Sequence, residues 1–104
     1  MNNYKVKLLI EARLELRDIA AYHKMKVGVI SARRITNRIL DAIDKLSAFP
    51  EMGIMPSSKI IAEAGYRMLI VEEYLCFYHV AGDSIFVSHI VHSGVDYIKR
   101  LFLK

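Results

Sequence analysis

Residues 65–92 read GYRMLIVEEYLCFYHVAGDSIFVSHIVH, and this stretch decides the fold. It contains three runs rich in β-branched and aromatic residues, at positions 65–71, 74–80 and 84–91. This composition is typical of strands. Glu72 and Glu73 can turn the chain between the first two runs, and Gly82 and Asp83 form a favoured two-residue hairpin signal between the last two. The stretch therefore predicts a three-stranded antiparallel meander.

The residues before this stretch predict one strand and two helices. Apolar Tyr4, Val6, Leu8 and Ile10 alternate with other residues, which indicates a first strand with one buried face. From about Glu11 to Gly28 the period is helical. A second helix, ended by Pro50, has a continuous apolar stripe of Ala32, Ile35, Ile39, Ala42, Ile43 and Leu46. Because neither helix can bury its stripe alone, the two should pack as an antiparallel hairpin on the sheet.

The remaining segments complete a single α+β domain over residues 1–104. Residues 52–64 lack a sustained period and are predicted to form a loop that carries function, while Val95 to Leu103 has the spacing of a short terminal helix. We expect one shared hydrophobic core, made of Val6, Leu8, Ile39, Ile43, Leu46, Met68, Ile70, Phe77 and Ile90.

Composition limits the classes of protein to consider. The chain has 104 residues, 54% of them hydrophobic, which suffices for one core and leaves no room for a second domain. The net charge is +4, with ten Lys/Arg against five Asp/Glu in residues 1–50, and this surplus suits an anionic partner such as RNA or an acidic protein. The single Cys76, within an apolar strand, predicts an inert thiol in the cytoplasm. No signal peptide or membrane segment is expected.

Arg67 and His92 are the first candidates for chemistry. The Arg67 guanidinium could present a planar fork of donors to a phosphate, or could be an edge residue of the sheet, on the same face as Leu69 and Val71. His92 ends the last strand beside Ser93 and Gly94, where a histidine could act as general acid or base, or merely cap the strand.

Two further residues could assist them. Tyr97 could stack on a base or donate a proton near His92, or pack under the sheet. Lys59, in the predicted loop, could contact a phosphate or simply be solvated. His23, His79 and His89 are expected to pack in the interior. No histidine has metal-ligand spacing and no nucleotide-binding motif is present, so neither a metal nor a cofactor is expected.

The order of these elements resembles the RelE/ParE family of toxins from bacterial toxin–antitoxin modules, over nearly the full length. The resemblance is carried by Gly65, Tyr66 and Arg67 at the start of the meander, by Tyr74 and Tyr78 in its middle strand, by His92 at its end, and by the segment from Leu46 to Gly53. It implies a strand, a helical hairpin, an antiparallel meander and a short C-terminal helix. It also implies a toxin held inactive by a small cognate antitoxin.

Two activities occur in that family. RelE-like members cut messenger RNA on the ribosome, and ParE-like members poison DNA gyrase without being nucleases. Our first prediction is a metal-independent endoribonuclease in which Arg67, His92 and Tyr97 are catalytic, Lys59 and Arg67 bind RNA, and Arg67 meets His92 near one phosphate. Several RelE-like members carry an arginine in the middle or last strand, which residues 74–80 and 84–91 lack. A gyrase inhibitor and an inert antitoxin-binding protein are therefore kept as alternatives.

Overall fold

The computed structural model describes residues 3–102. It contains four strands, three helices and two short helical turns. In chain order these are β1 (Lys5–Leu8), α1 (Ile10–Lys26), α2 (Val29–Asp44), a 3-10 turn (Lys45–Ser47), α3 (Lys59–Glu63), β2 (Arg67–Val71), β3 (Tyr74–Ala81), β4 (Ser84–His92) and a π-helical turn (Ile98–Phe102).

The four strands form one sheet in the order β1-β4-β3-β2. β3 pairs antiparallel with β2 and β4, as the predicted meander requires, and β1 pairs parallel with β4. β1 and β2 are therefore the two edges of the sheet, and the helical hairpin carries the chain from one edge to the other across a single face. The α+β class and this element order confirm the predicted fold.

The two helices begin and end close to the predicted positions. α1 starts at Ile10, which is 61% exposed. Ile10 was expected in the first strand, and the structure places it in the helix instead. α2 buries its apolar stripe but ends at Asp44, and the 3-10 turn continues the chain before Pro50. Only Val27 and Gly28 separate the helices, and the φ of +134° at Gly28 is a conformation that residues with a side chain rarely adopt.

The apolar side chains form two clusters, so the prediction of one core is wrong. Alternation along the strands sends side chains to both faces of the sheet, and both faces are covered. The hairpin side contains Ile39, Ile43, Leu46 and Ile90, with Val6 and Leu8 partly buried against them. The second face contains Phe77, with Met68 packed beside it, under α3 and the C-terminal turn. Ile70 is 56% exposed on the edge strand β2.

The predicted loop and terminal helix also differ in detail. Within residues 52–64, α3 is too short to show a helical period, and Ile54 exchanges two backbone hydrogen bonds with Met68, both of 2.9 Å. The C-terminal helix is reduced to the turn Ile98–Phe102, and Leu103 lies outside the described residues. None of the helices within residues 3–102 is long and apolar enough to cross a membrane.

Truncation of Ile39 tests the packing of the hairpin on the sheet. Ile39 is completely buried, so Ile39→Ala should lower the free energy of unfolding by about 2–5 kcal/mol. The matched control is Ile70→Ala, which should cost less than about 1 kcal/mol because its side chain is mostly exposed. Urea denaturation of the two variants compares them directly, and equal losses would contradict the assignment of Ile39 to the core.

Candidate functional site

The structure places Arg67 and His92 on the same face of the sheet but at opposite ends. Arg67 pairs with Tyr78 of β3, and His92 pairs with Tyr74. β2 and β4 run in the same direction, so the first residue of one and the last residue of the other cannot meet. From strand rise and spacing, the two backbone positions are about 16 Å apart. The structure therefore does not bring the two residues together, as a shared phosphate would require.

The Arg67 end of the sheet holds the turn formed by residues 50–53. Arg67 Nη1 donates to the Gly53 carbonyl at 3.0 Å. The Tyr78 hydroxyl donates to the Pro50 carbonyl at 2.8 Å and accepts from the Gly53 N–H at 3.0 Å. Burial raises the pKa of Tyr78, so the phenol stays protonated and keeps its donor. These bonds give Arg67 and Tyr78 a structural role.

Gly53 is required by the closeness of this contact. A Cβ atom at residue 53 would lie 2.6 Å from the Tyr78 hydroxyl and 2.7 Å from a carbon of its ring. Gly53 ends the segment from Leu46 to Gly53, which entered the sequence analysis only as part of the family resemblance. Because Gly53 has no side chain, the turn can approach the sheet this closely.

Tyr97 and Lys59 belong to the second face of the sheet. The Tyr97 ring packs on Phe77 with a centroid distance of 5.1 Å, which is the packing role that the sequence left open. Lys59 is exposed at the first position of α3, and α3 covers this face through the buried Ile61. The four predicted site residues are therefore distributed over two ends and two faces of the sheet.

The His92 end opens into a groove of about 600 Å³ between α1 and the ends of β3 and β4, which we call the α1–β4 groove. Its apolar lining comes from Ile19, Ile90, Val91 and Val95, with the ring of Tyr74. Its polar and aromatic lining comes from Glu15, Asp18, Tyr22, His23, Glu73, His92 and Arg100. A concave apolar surface with a few converging polar groups is the usual form of a binding site.

Tyr74 connects the two histidines of the groove. Its hydroxyl lies 2.8 Å from His23 Nε2, and His23 Nδ1 lies 3.3 Å from the Ser31 hydroxyl. The His92 ring meets the Tyr74 ring edge-on, with centroids 5.6 Å apart. Burial, and secondly the charge of Glu73, raise the pKa of Tyr74, so it stays a neutral phenol. His23, expected in the interior, lies instead in the groove wall.

His92 itself has two partners. Its Nδ1 accepts the N–H of Gly94 at 2.9 Å, and its Nε2 lies 3.4 Å from Glu73 Oε2. The bond to Gly94 requires an unprotonated Nδ1, so Nε2 carries the proton and points at the carboxylate. This arrangement also fits the capping role that the sequence left open.

The other histidines have packing roles, as expected. His79 stacks on Phe86 with centroids 5.5 Å apart, and His89 Nδ1 lies 3.2 Å from Glu15 Oε1. The same Glu15 oxygen accepts the backbone N–H of Ile90 at 3.0 Å, which fixes α1 to β4. Within residues 3–102 no group of three His, Cys, Asp or Glu side chains is placed to hold a metal ion.

Sequence reasoning missed Tyr74, His23 and Glu73 as groove residues. His23 and Tyr74 are 51 positions apart in the chain, and only the packing of α1 on the sheet brings them together. One signal was available in the sequence, because the helical period places His23 on the inner stripe of the first helix.

Removal of the Tyr78 hydroxyl tests the contact that holds the turn at residues 50–53. Tyr78→Phe would leave the Pro50 carbonyl and the Gly53 N–H without their partner, at a cost of about 1–3 kcal/mol in unfolding free energy. Tyr22→Phe is the control. Because Tyr22 is 55% exposed, removal of its hydroxyl leaves no buried polar group without a partner. An unchanged urea midpoint for Tyr78→Phe would contradict this role.

The thiol of Cys76 should be inert in the folded protein. It is fully buried, and burial raises its pKa to about 12. At about pH 8 almost no thiolate forms and the reagent has no path to it, so Ellman's reagent should label Cys76 only as fast as the chain unfolds. Labelling that is fast in buffer and independent of urea would show an accessible thiol instead.

Comparison with known proteins identifies the family. The family model for the ParE toxin of the type II toxin–antitoxin system parDE matches residues 6–97. Among solved structures, the chromosomal ParDE system of P. aeruginosa contains a similar chain, with a TM-score of 0.74, 20% identity, and coverage of 86% of this chain and 95% of that chain. At this identity the structural likeness shows the fold. No curated protein matches the sequence. Because the family model spans most of the chain, the chain belongs to the ParE toxin family of type II toxin–antitoxin systems.

Proposed function

We propose that this chain inhibits DNA gyrase by binding it and does not cleave messenger RNA. The observation that carries the proposal is the separation of Arg67, which pairs with Tyr78, from His92, which pairs with Tyr74. Membership of the ParE family supports the same choice, because ParE-like toxins poison gyrase without being nucleases.

Metal-independent RNA cleavage needs a base, an acid and a fixed cation within hydrogen-bond reach of one phosphate. The backbone positions of Arg67 and His92 are about 16 Å apart across the sheet, and each side chain is bonded to a partner at its own end. Arg67 is bonded to the Gly53 carbonyl, and Tyr97 packs on the opposite face. β3 and β4 contain no arginine, and the guanidinium that lines the groove with His92 is that of Arg100, outside the strands. The candidate residues are therefore poorly arranged for phosphate chemistry.

Inhibition by binding requires a surface that fits the target, and the α1–β4 groove is a concave surface with apolar and polar lining. We propose that His92 and Tyr74 act there as parts of a binding surface. Arg67 serves by holding the turn at residues 50–53 in place. Under this proposal Tyr97 has a packing role and Lys59 takes no part in catalysis.

We also propose a cognate antitoxin as the partner that neutralises the chain. The tip of the α1–α2 hairpin exposes Met25, Val27, Val29 and Ile30, with Ile30 86% exposed. Lys24, Lys26 and Arg33 are exposed in the same part of the chain, while Arg34 is paired with Glu72 at 3.1 Å. An acidic antitoxin segment with apolar side chains would match both properties.

Two assays with the purified chain separate the candidate activities. Added to gyrase, ATP and relaxed plasmid, the chain should block supercoiling in a dose-dependent way. Added to cell-free translation, it should leave the messenger RNA intact by primer extension. Preincubation with the antitoxin is the control and should restore supercoiling. Ribosome-dependent cleavage products with normal supercoiling would overturn the proposal in favour of the nuclease.

A further inference from the structure

We infer that the α1–β4 groove binds a basic segment of the target protein, in which an arginine or lysine is flanked by apolar residues. The identity of the target rests on the proposed function, but the chemistry of the groove is independent of it. The lining residues of the groove define the chemistry of the ligand that this surface fits.

The first observation is the charge of the groove, which is opposite to that of the molecule. The chain carries a net charge of +4, but the groove presents the carboxylates of Glu15, Asp18 and Glu73 against a single guanidinium, that of Arg100. A concave site lined by one sign of charge concentrates its field and selects ligands of the other sign. This groove therefore favours a cation, although the rest of the chain favours anions.

The second observation is that two of these carboxylates, those of Asp18 and Glu73, make only exposed ion pairs. Glu15 is held by His89 and the N–H of Ile90. Asp18 is 75% exposed and lies 3.9 Å from Arg17, while Glu73 is 74% exposed and lies 3.4 Å from His92. Such exposed pairs contribute little and can be exchanged for a new partner at small cost. Asp18 on α1 and Glu73 before β3 thus border the groove from two different elements.

The third observation is the apolar lining between these carboxylates. Ile19 and Val95 are partly exposed and Tyr22 is 55% exposed, so these side chains offer apolar surface, while Tyr74 and Val91 line the groove from its buried side. A guanidinium can lie over an aromatic ring while its nitrogens bond carboxylates, and neighbouring apolar side chains fill the remaining space. The acidic antitoxin proposed above would meet like charges here, which favours the target over the antitoxin as the occupant of this groove.

A dipeptide probe tests the chemistry of the groove without gyrase. Acetyl-Leu-Arg-amide and its uncharged isostere acetyl-Leu-citrulline-amide are titrated into the isotope-labelled full chain and followed by NMR. The arginine peptide should shift the signals of Ile19, Tyr74 and Ile90, with an affinity at least about fivefold above that of the citrulline peptide. The double variant Asp18→Asn with Glu73→Gln should abolish this difference.

A charge-matched control variant, Asp41→Asn with Glu51→Gln, removes two exposed carboxylates outside the groove and should bind like the wild type. Both double variants should keep the wild-type urea midpoint, because all four side chains are on the surface. Equal binding of the two peptides, or shifts that avoid the groove, would overturn the inference.

The gyrase assay then identifies the partner. The groove variant should need at least about fivefold more protein than the control variant to block supercoiling, and both should still bind the antitoxin. If the wild type leaves gyrase active but binds the arginine peptide, the proposed function fails and the cationic specificity of the groove stands. Equal inhibition by both variants, or loss of antitoxin binding in the groove variant alone, would contradict the assignment of the groove to the target.

Discussion

β2 and β4 run in the same direction on either side of β3, and this strand order fixes what each end of the sheet can do. Arg67, which opens β2, and His92, which closes β4, lie at opposite ends of the sheet, so these two side chains belong to separate surfaces. One end becomes a hydrogen-bonded anchor for the turn after the helices. The other end, where α1 crosses the sheet, is left open as a groove. The division of structural and binding roles follows from this arrangement.

The two faces of the sheet are covered in different ways. The helical hairpin buries one face under two amphipathic helices, while the second face depends on α3 and a five-residue terminal turn. Because the hairpin crosses from one edge strand to the other, α1 lies over β4 and forms the wall of the groove. The same packing places His23 against Tyr74 and Glu15 against β4. The groove is therefore a consequence of the fold and needs no additional segment.

Much of this fold could be predicted from the sequence, because the periods of the strands and helices are strong and the turn residues between them are characteristic. The stripe through Ile35, Ile39 and Ile43 is buried as predicted. The single core was wrong because alternation supplies two apolar faces, and a sequence does not say whether both are covered. α3 was missed since five residues do not complete two helical turns.

The candidate site could be predicted only residue by residue. Arg67 was correctly placed on the face of Leu69 and Val71, and His92 at the sheet rim. Their separation depends on the directions of β2 and β4 relative to β3, which the local sequence around each residue does not contain. The contact of His23 with Tyr74 depends on how the hairpin sits on the sheet, which no local pattern records. The acidic lining of the groove was hidden in the same way, because the total charge of the chain has the opposite sign.

We propose that the groove end of the sheet, and not the Arg67 end, meets the target. Methyl NMR of the chain, labelled at the isoleucine δ1-methyl groups, measures this directly on addition of gyrase. Ile19 and Ile90 line the groove, and Ile54 bridges to β2 beside the turn at residues 50–53. We expect gyrase to broaden the Ile19 and Ile90 signals and to leave that of Ile54 unchanged. Broadening of Ile54 with unchanged Ile19 and Ile90 signals would contradict this proposal.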